Sequence, residues 1–306
     1  MTDVVATAAR PATPDWVRRL PEYLMIWVPL LLSAAHLVTF SLWTIWISFT
    51  PSTLVPVTGW VGLRNYSAVL VSRNWQIAFD NLLLFGSAFV LLSLMTGLLL
   101  AILLDQRIRG ENVLRSIFLY PLAVSFVVTG TVWSWLLNPG IGIQKLVHDL
   151  GWTSFRFDWL VDRDMAIWTI VIAAIWQSSG FAMALFLAGL RSVDADIIKA
   201  AQIDGAGPIR IYRRVVLPTL WPITITVVVV QLQFAISAFD LVRALTNGGP
   251  GIATQLPALV VYDLMFQRSQ LGRGAAAAVL MLLILLAVLL PYAAWRYVRQ
   301  RRTTHA

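Results

Sequence analysis

The side chains with chemistry to offer lie in two places, both beside long apolar runs. The run over 165–190 carries Trp176-Gln-Ser-Ser-Gly-Phe181. The run over 217–240 carries Gln231, Gln233, Phe234, Ser237, Phe239 and Asp240. Amides and hydroxyls next to aromatic rings suit a polyhydroxylated ligand, which needs hydrogen bonds and flat apolar faces against its C–H surfaces. The same groups have a second use: glutamine and serine in apolar helices bond neighbouring helices, and phenylalanine packs. The other place is the polar insertion between those runs, Lys199-Ala-Ala-Gln-Ile-Asp-Gly-Ala206, closed by Leu217-Pro218. It offers shape rather than reactivity. Ala200, Ala201, Gly205 and Ala206 carry so little bulk that another protein could approach closely.

Covalent chemistry is poorly provided for. The chain has no cysteine, hence no thiolate nucleophile and no disulfide. Its three histidines, His36, His148 and His305, are scattered over a run, a loop and a tail without metal-ligand spacing. Acidic residues sit in loops or at the ends of runs, which leaves no obvious dyad or proton relay. A phosphate-cradling loop needs Gly-Lys-Ser/Thr. The two lysines, Lys145 and Lys199, follow Gln144 and Ile198, so the chain has no Walker A motif. An enzyme is disfavoured. So is a carrier driven by protons or sodium, which would need buried ionisable groups.

The elements that must position these residues follow from composition. Of 306 residues 58% are hydrophobic and 12% charged, against about 25% charged in a soluble domain. A membrane span needs about 20 apolar residues to cross roughly 30 Å of hydrocarbon. Six runs qualify: about 23–49, 78–104, 114–137, 165–190, 217–240 and 274–295. Stretches such as Ala275–Leu290 are apolar on every helical face, which argues against a soluble core helix. Backbone in lipid must bond internally, so only helices or a closed barrel serve, and unalternating runs exclude the barrel. The expected fold is an all-α polytopic membrane protein with six transmembrane helices. It forms one domain over 23–297, flanked by tails at 1–22 and 298–306. Trp16–Leu20 could form a short interfacial helix in the first tail. The first run is too long for a signal h-region, so it is expected to remain as an anchor.

Charge gives orientation. With both termini on one side, fifteen of the 23 Lys and Arg residues fall on that side. The positive-inside rule then places both termini in the cytoplasm. The net charge of +8 is read as a topology signal aided by anionic lipid, and nucleic acid is not an expected partner. The opposite side has loops at 50–77, 138–164 and 241–273. They are punctuated by Pro51, Pro56, Gly59 and Gly62, by Asn138-Pro-Gly140, and by Asn247-Gly-Gly-Pro-Gly251. A helix is expected at 255–267, and Trp60 and Trp75 fit an interfacial aromatic belt. In the polar insertion over 191–216, Asp194 can cap a helix covering roughly 195–203. Asp204 and Gly205 stop it, and Pro208 suits the first turn of the next. Periodicity alone reads this equally as an ordinary amphipathic connector. No internal repeat is visible.

Residue order goes further. Lys199–Pro218 resembles the loop of binding-protein-dependent ABC importer permeases that reads E-A-A-x-x-D-G-A and, about ten residues on, L-P. Ala200, Ala201, Asp204, Gly205, Ala206, Leu217 and Pro218 match, while Lys199 stands where that pattern has an acid. Asn138-Pro-Gly140, Trp176–Arg191 and Thr246-Asn-Gly-Gly-Pro-Gly251 are similar to maltose-type carbohydrate permeases. Leu104-Asp-Gln-Arg-Ile108, Leu119-Tyr-Pro-Leu122, Val128-Thr-Gly-Thr131, Trp135-Leu-Leu-Asn-Pro-Gly140 and Phe157-Asp-Trp-Leu160 resemble bacterial glucose/mannose importer permeases. The resemblance implies the maltose-type permease fold, with Lys199, Ala200, Ala201, Asp204, Gly205 and Ala206 in a cytoplasmic coupling helix between spans four and five. It implies a location in the cytoplasmic (inner) membrane of a bacterium. It also implies a second, different permease subunit, two ATPase subunits that bind ATP and magnesium, and an extracytoplasmic sugar-binding protein. No cofactor is then expected on this chain. Ungapped extension from the loop places Gln177, Ser178, Phe181, Gln231, Phe234, Ala235 and Ala238 on positions that contact substrate in that family, and Ser237 lies among them.

Overall fold

The computed structural model describes residues 15–106 and 109–304. Among them every regular element is helical. In chain order these are α1 (Asp15–Ser48), α2 (Arg64–Val71), α3 (Arg73–Asp105), α4 (Glu111–Leu119), α5 (Phe126–Leu137) and α6 (Ile143–Asp149). Then come α7 (Ala166–Arg191), α8 (Ala195–Ile203), α9 (Pro208–Ile211), α10 (Leu217–Thr219) and α11 (Trp221–Ile236). The chain finishes with α12 (Phe239–Leu245), α13 (Pro257–Tyr262) and α14 (Leu271–Thr304).

Four helices are long and apolar enough to cross a membrane unaided: Tyr23–Ser48 within α1, α3, α7, and Leu271–Trp295 within α14. The third and fifth of the expected six spans are not single rods. Glu111–Ala123 meets Phe126–Leu137 at 100°, and Pro208–Thr219 meets Trp221–Ile236 at 64°. The causes are local. Pro121 falls in a single 3-10 turn over Tyr120–Ala123, after which Val124 and Ser125 are extended and Ser125 caps α5 through the Val127 amide. Pro222 lies in the first turn of α11 and so cannot continue the ladder from α10. The last part of the fifth expected span, with the start of the loop after it, is also a separate helix, α12. Trp16–Leu20 proves continuous with α1. Residues 1–14 of the expected tail lie outside the described part.

α7 is the axis of the bundle. Over its most apolar stretch 61% is buried, against none of α1. Small residues make this possible, because Ala166, Ala173 and Ala182 on α7 and Ala101 on α3 are fully buried and let backbones approach. α3 lies along α7, α11 against both, and α12 pairs with α5. α1 packs on α14, which also meets α2 and α13. One apolar cluster joins Phe85, Phe89, Ile170, Val171, Leu241 and Leu256; a second joins Leu104, Phe186, Leu187, Ile211, Val216 and Leu220 at the end nearer α8. Trp60 is 68% exposed, as a belt residue would be, but Trp75 is 4% exposed and packs with Val69, Ala78 and Val260. Its position in the first turn of α3 turns the ring inward, which the loop reading overlooked.

Candidate functional site

Gln177 sits on the buried face of α7 and reaches the bend of the third span. Its Nε2 donates to the Val124 carbonyl at 2.7 Å, a group freed by the break between the 3-10 turn and α5. Its Oε1 is buried without a hydrogen-bond partner. One turn along, Gly180 faces the Phe118 carbonyl so closely that any Cβ would collide with it. α7 thus fixes the bent span at two points, one a hydrogen bond and one a steric fit.

A polar knot lies deeper. Gln231 on α11 is fully buried, and its Nε2 donates to Ser93 Oγ on α3 and approaches Ser178 Oγ on α7 at 3.4 Å. Ser178 also donates to the Ala174 carbonyl at 2.8 Å and lies 3.3 Å from Ser93 Oγ. Three helices therefore share one network in an apolar interior. Buried polar groups need such partners, since an unmet one costs about 1–3 kcal/mol. The network is incomplete: Gln231 Oε1 has no partner. Ser93 was not singled out from sequence. Its signal was one of two serines, with Ser87, in the apolar run of α3, and hydropathy averages that away.

The other ligand candidates lie elsewhere. Phe234 is 36% exposed and stands between Phe126 and Phe181, with ring centroids 6.2 and 6.4 Å away. These three rings form an aromatic ladder across α5, α7 and α11. Ser237 and Gln233 are exposed, and Ala238 is half-buried at the break before α12. Ala235 is buried in the apolar cluster against Phe85 and Ile236. The eight candidates thus divide into four interior residues (Gln177, Ser178, Gln231, Ala235) and an open-faced set (Phe181, Phe234, Ser237, Ala238).

At the end of α7 the polar insertion folds as its residues dictate. Asp194 Oδ1 accepts the Asp196 amide at 2.9 Å and caps α8. The helix ends with two reverse bonds: Ala206 N to Ala201 O and Gly205 N to Gln202 O, both 3.0 Å. That closure requires a left-handed residue after the cap, and Gly205 has φ of +76°. Pro208 then opens α9. The inward side of the loop, Ile198, Ala201, Ala206 and Tyr212, packs on the second apolar cluster. The outward side is bare: Ile203 is 86% and Ile209 85% exposed. Ala200, Asp204 and Gly205 are exposed beside them. Lys199 pairs with Asp196 at 2.9 Å, one turn back and in solvent. Arg191, the last residue of α7, bonds Glu111 at the start of α4, and its Nε lies 3.8 Å from Asp105 at the end of α3. One guanidinium ties three elements at the root of the loop.

Residues 93–304 match the family of binding-protein-dependent transport system inner membrane components. A probable ABC transporter permease protein of Pyrococcus horikoshii is 38% identical over 286 residues, covering 92% of this chain and 98% of its own length. The xylose/arabinose import permease protein XacH of Haloferax volcanii is 35% identical over 237 residues, 77% of this chain and 74% of that one. Among solved structures, a bacterial ABC transporter involved in the import of the acidic polysaccharide alginate superposes with a TM-score of 0.78. It is 19% identical, covering 92% of this chain and 97% of its own, and shows a shared fold.

Proposed function

The chain belongs to the binding-protein-dependent inner membrane components, the permeases of ABC transporters, and from that premise we propose that it forms half of the translocation path of an ATP-driven sugar importer. The observation that carries the coupling role is the bare turn between α8 and α9. Ile203 and Ile209 stand in solvent on a loop whose other face is packed on the bundle. Burying such side chains against a partner is worth about 1.5–3 kcal/mol each. The chain has no Walker A lysine, so the motor is a separate ATPase pair that binds ATP and magnesium and receives this turn. A second, different permease subunit closes the path, and an extracytoplasmic binding protein delivers the sugar. Both termini and the α8–α9 turn lie in the cytoplasm on this reading.

ATP binding draws the ATPase pair together and moves α8 and α9. Arg191 and the second apolar cluster pass that motion to α3, α4 and α7. The bent spans then rock, and the path opens towards the binding protein. The aromatic ladder with Ser237 and Ala238 faces the sugar as a packing surface. Rocking exposes the knot and the bend of the third span, where the unpaired Oε1 atoms of Gln231 and Gln177 accept hydrogen bonds from sugar hydroxyls. The segments similar to glucose/mannose permeases favour a monosaccharide; the alternative is a disaccharide, polyol or glycerol phosphate, since relatives named for xylose/arabinose, trehalose/maltose and sn-glycerol-3-phosphate transport are all similar to this chain. The chain changes no covalent bond itself.

Affinity-tagged chain, expressed with its neighbouring genes, should bring down an ATPase and a second permease. A tag that recovers neither would overturn the reading. Uptake by the reconstituted complex of labelled glucose, mannose, xylose and maltose, each offered with the binding protein, decides the sugar. Preference for maltose would overturn the monosaccharide assignment.

A further inference from the structure

The end of the bundle away from α8 holds a cavity of about 260 Å³ between the first turns of α3 and α14 and the turn that follows α13. Arg73, Arg268 and Arg273 stand around it with Ser72, Gln255 and Asp263. Among the described residues no ion pair engages Arg73 or Arg268. Arg273 Nη1 donates to Gln270 Oε1 at 3.2 Å. Gln255 is 4% exposed; its Nε2 donates to Asp263 Oδ2 at 3.0 Å, and its Oε1 is buried with no partner. Which end of the amide is which follows from that bond, because a flipped amide would set carbonyl against carboxylate. The wall therefore offers guanidinium donors together with the Asp263 carboxylate, which Gln255 holds in place. A plain anion would meet that carboxylate, and a plain cation would meet three arginines. A group with phosphate and ammonium a few ångströms apart satisfies both.

Depth names the source of that group. α3 has 33 residues, so at 1.5 Å per residue it is about 50 Å long. Hydrocarbon takes roughly 30 Å of that, and the apolar run of α3 starts at about 78, so Arg73 stands five residues, about 8 Å, outside it, in the headgroup layer. α14 begins beside it, and Phe266, 71% exposed on the intervening turn, suits the same interface. We propose that this cavity holds the headgroup of an amino phospholipid, with phosphate on Arg73, Arg268 and Arg273 and ammonium on the Asp263 carboxylate that Gln255 orients.

The test uses the full chain purified with its partner subunits, stripped of lipid and exposed to vesicles of phosphatidylethanolamine, phosphatidylcholine or phosphatidylglycerol. Lipid retained after washing is read by native mass spectrometry. Phosphatidylethanolamine should be held about tenfold over phosphatidylcholine, whose trimethylated nitrogen donates no hydrogen bond, and the paired Arg73→Gln/Arg268→Gln variant should lower retention about tenfold. Asp263→Asn, close to isosteric, should erase the preference for the amino headgroup while leaving phosphate-driven retention. Equal retention of the three lipids by the unaltered protein would overturn the proposal, and so would unchanged retention by the arginine pair. Soluble phosphoethanolamine is the remaining arm. If it binds and the vesicle lipid does not, the occupant is a free phosphate ester and the lipid assignment fails. Should the arginine pair misfold, the Asp263→Asn preference still decides.

Discussion

The knot of Ser93, Ser178 and Gln231 and the turn between α8 and α9 are opposite solutions to one problem, a surface that does not match its surroundings. In the knot, polar groups sit in an apolar interior and meet it by bonding one another across three helices. In the turn, apolar Ile203 and Ile209 sit in solvent and find nothing in their own chain. The first mismatch is closed within the subunit except at Gln231 Oε1 and so largely holds its shape. The second stays open and so calls for another molecule. Variants in the knot should therefore change stability and path. Variants in the turn should change coupling and leave stability alone.

The sharpest break in that contrast would come from Gly205→Val. A β-branched residue in the left-handed region costs about 1–2 kcal/mol locally, enough to disturb the turn without unfolding a membrane bundle. Sugar uptake and sugar-stimulated ATP hydrolysis should both fall tenfold or more, roughly the factor that 1.4 kcal/mol represents, with membrane insertion unchanged by fractionation. Unaltered uptake would sink the coupling role. Next in size is Gln231→Leu, which strips the knot of its donor and should lower stability by about 1–3 kcal/mol, read as a lower melting temperature of the purified complex. A shift in ATP hydrolysis without a change in melting would reverse the assignment of the two regions. Arg191→Ala tests the link between them. Losing a partly exposed pair with two carboxylates should lower ATPase stimulation several-fold and stability by less than about 1 kcal/mol. Phe234→Ala should raise the sugar concentration for half-maximal uptake by a few-fold, since one aromatic contact is worth about 0.5–1.5 kcal/mol, with melting unmoved. The smallest effect belongs to Lys199→Ala. Its pairing with Asp196 is exposed and should contribute less than about 0.5 kcal/mol, so transport should stay within error.

Much of this was legible in the sequence because lipid imposes severe rules. Apolar runs announce spans, and Asp194, Gly205 and Pro208 announce a cap, a stop and a start by backbone chemistry that hardly depends on context. What stayed hidden depends on contacts between elements. Pro121 and Pro222 lie within runs that pass any hydropathy window, so averaging concealed the bends of 100° and 64°. α12 was read as the end of a span and the start of a loop, because its burial on α5 is a tertiary fact that seven residues do not disclose. Gln177, Ser178 and Gln231 were named for a ligand, but the structure first gives Ser178 and Gln231 one another and Ser93, and gives Gln177 the Val124 carbonyl. Residue type showed that these groups needed partners; only packing showed which.

The joint at Val124 has a mechanical consequence. Beyond it α5, paired with α12, is an arm of 12 residues, about 18 Å long, joined where one side-chain hydrogen bond replaces the helix ladder. A rotation of roughly 10° there swings the far end by about 3 Å for that arm length, about the width of a water molecule. Releasing the Gln177 bond costs on the order of 1 kcal/mol. On the proposed transport reading, a slight tilt of rigid rods would open an aperture there without melting any helix.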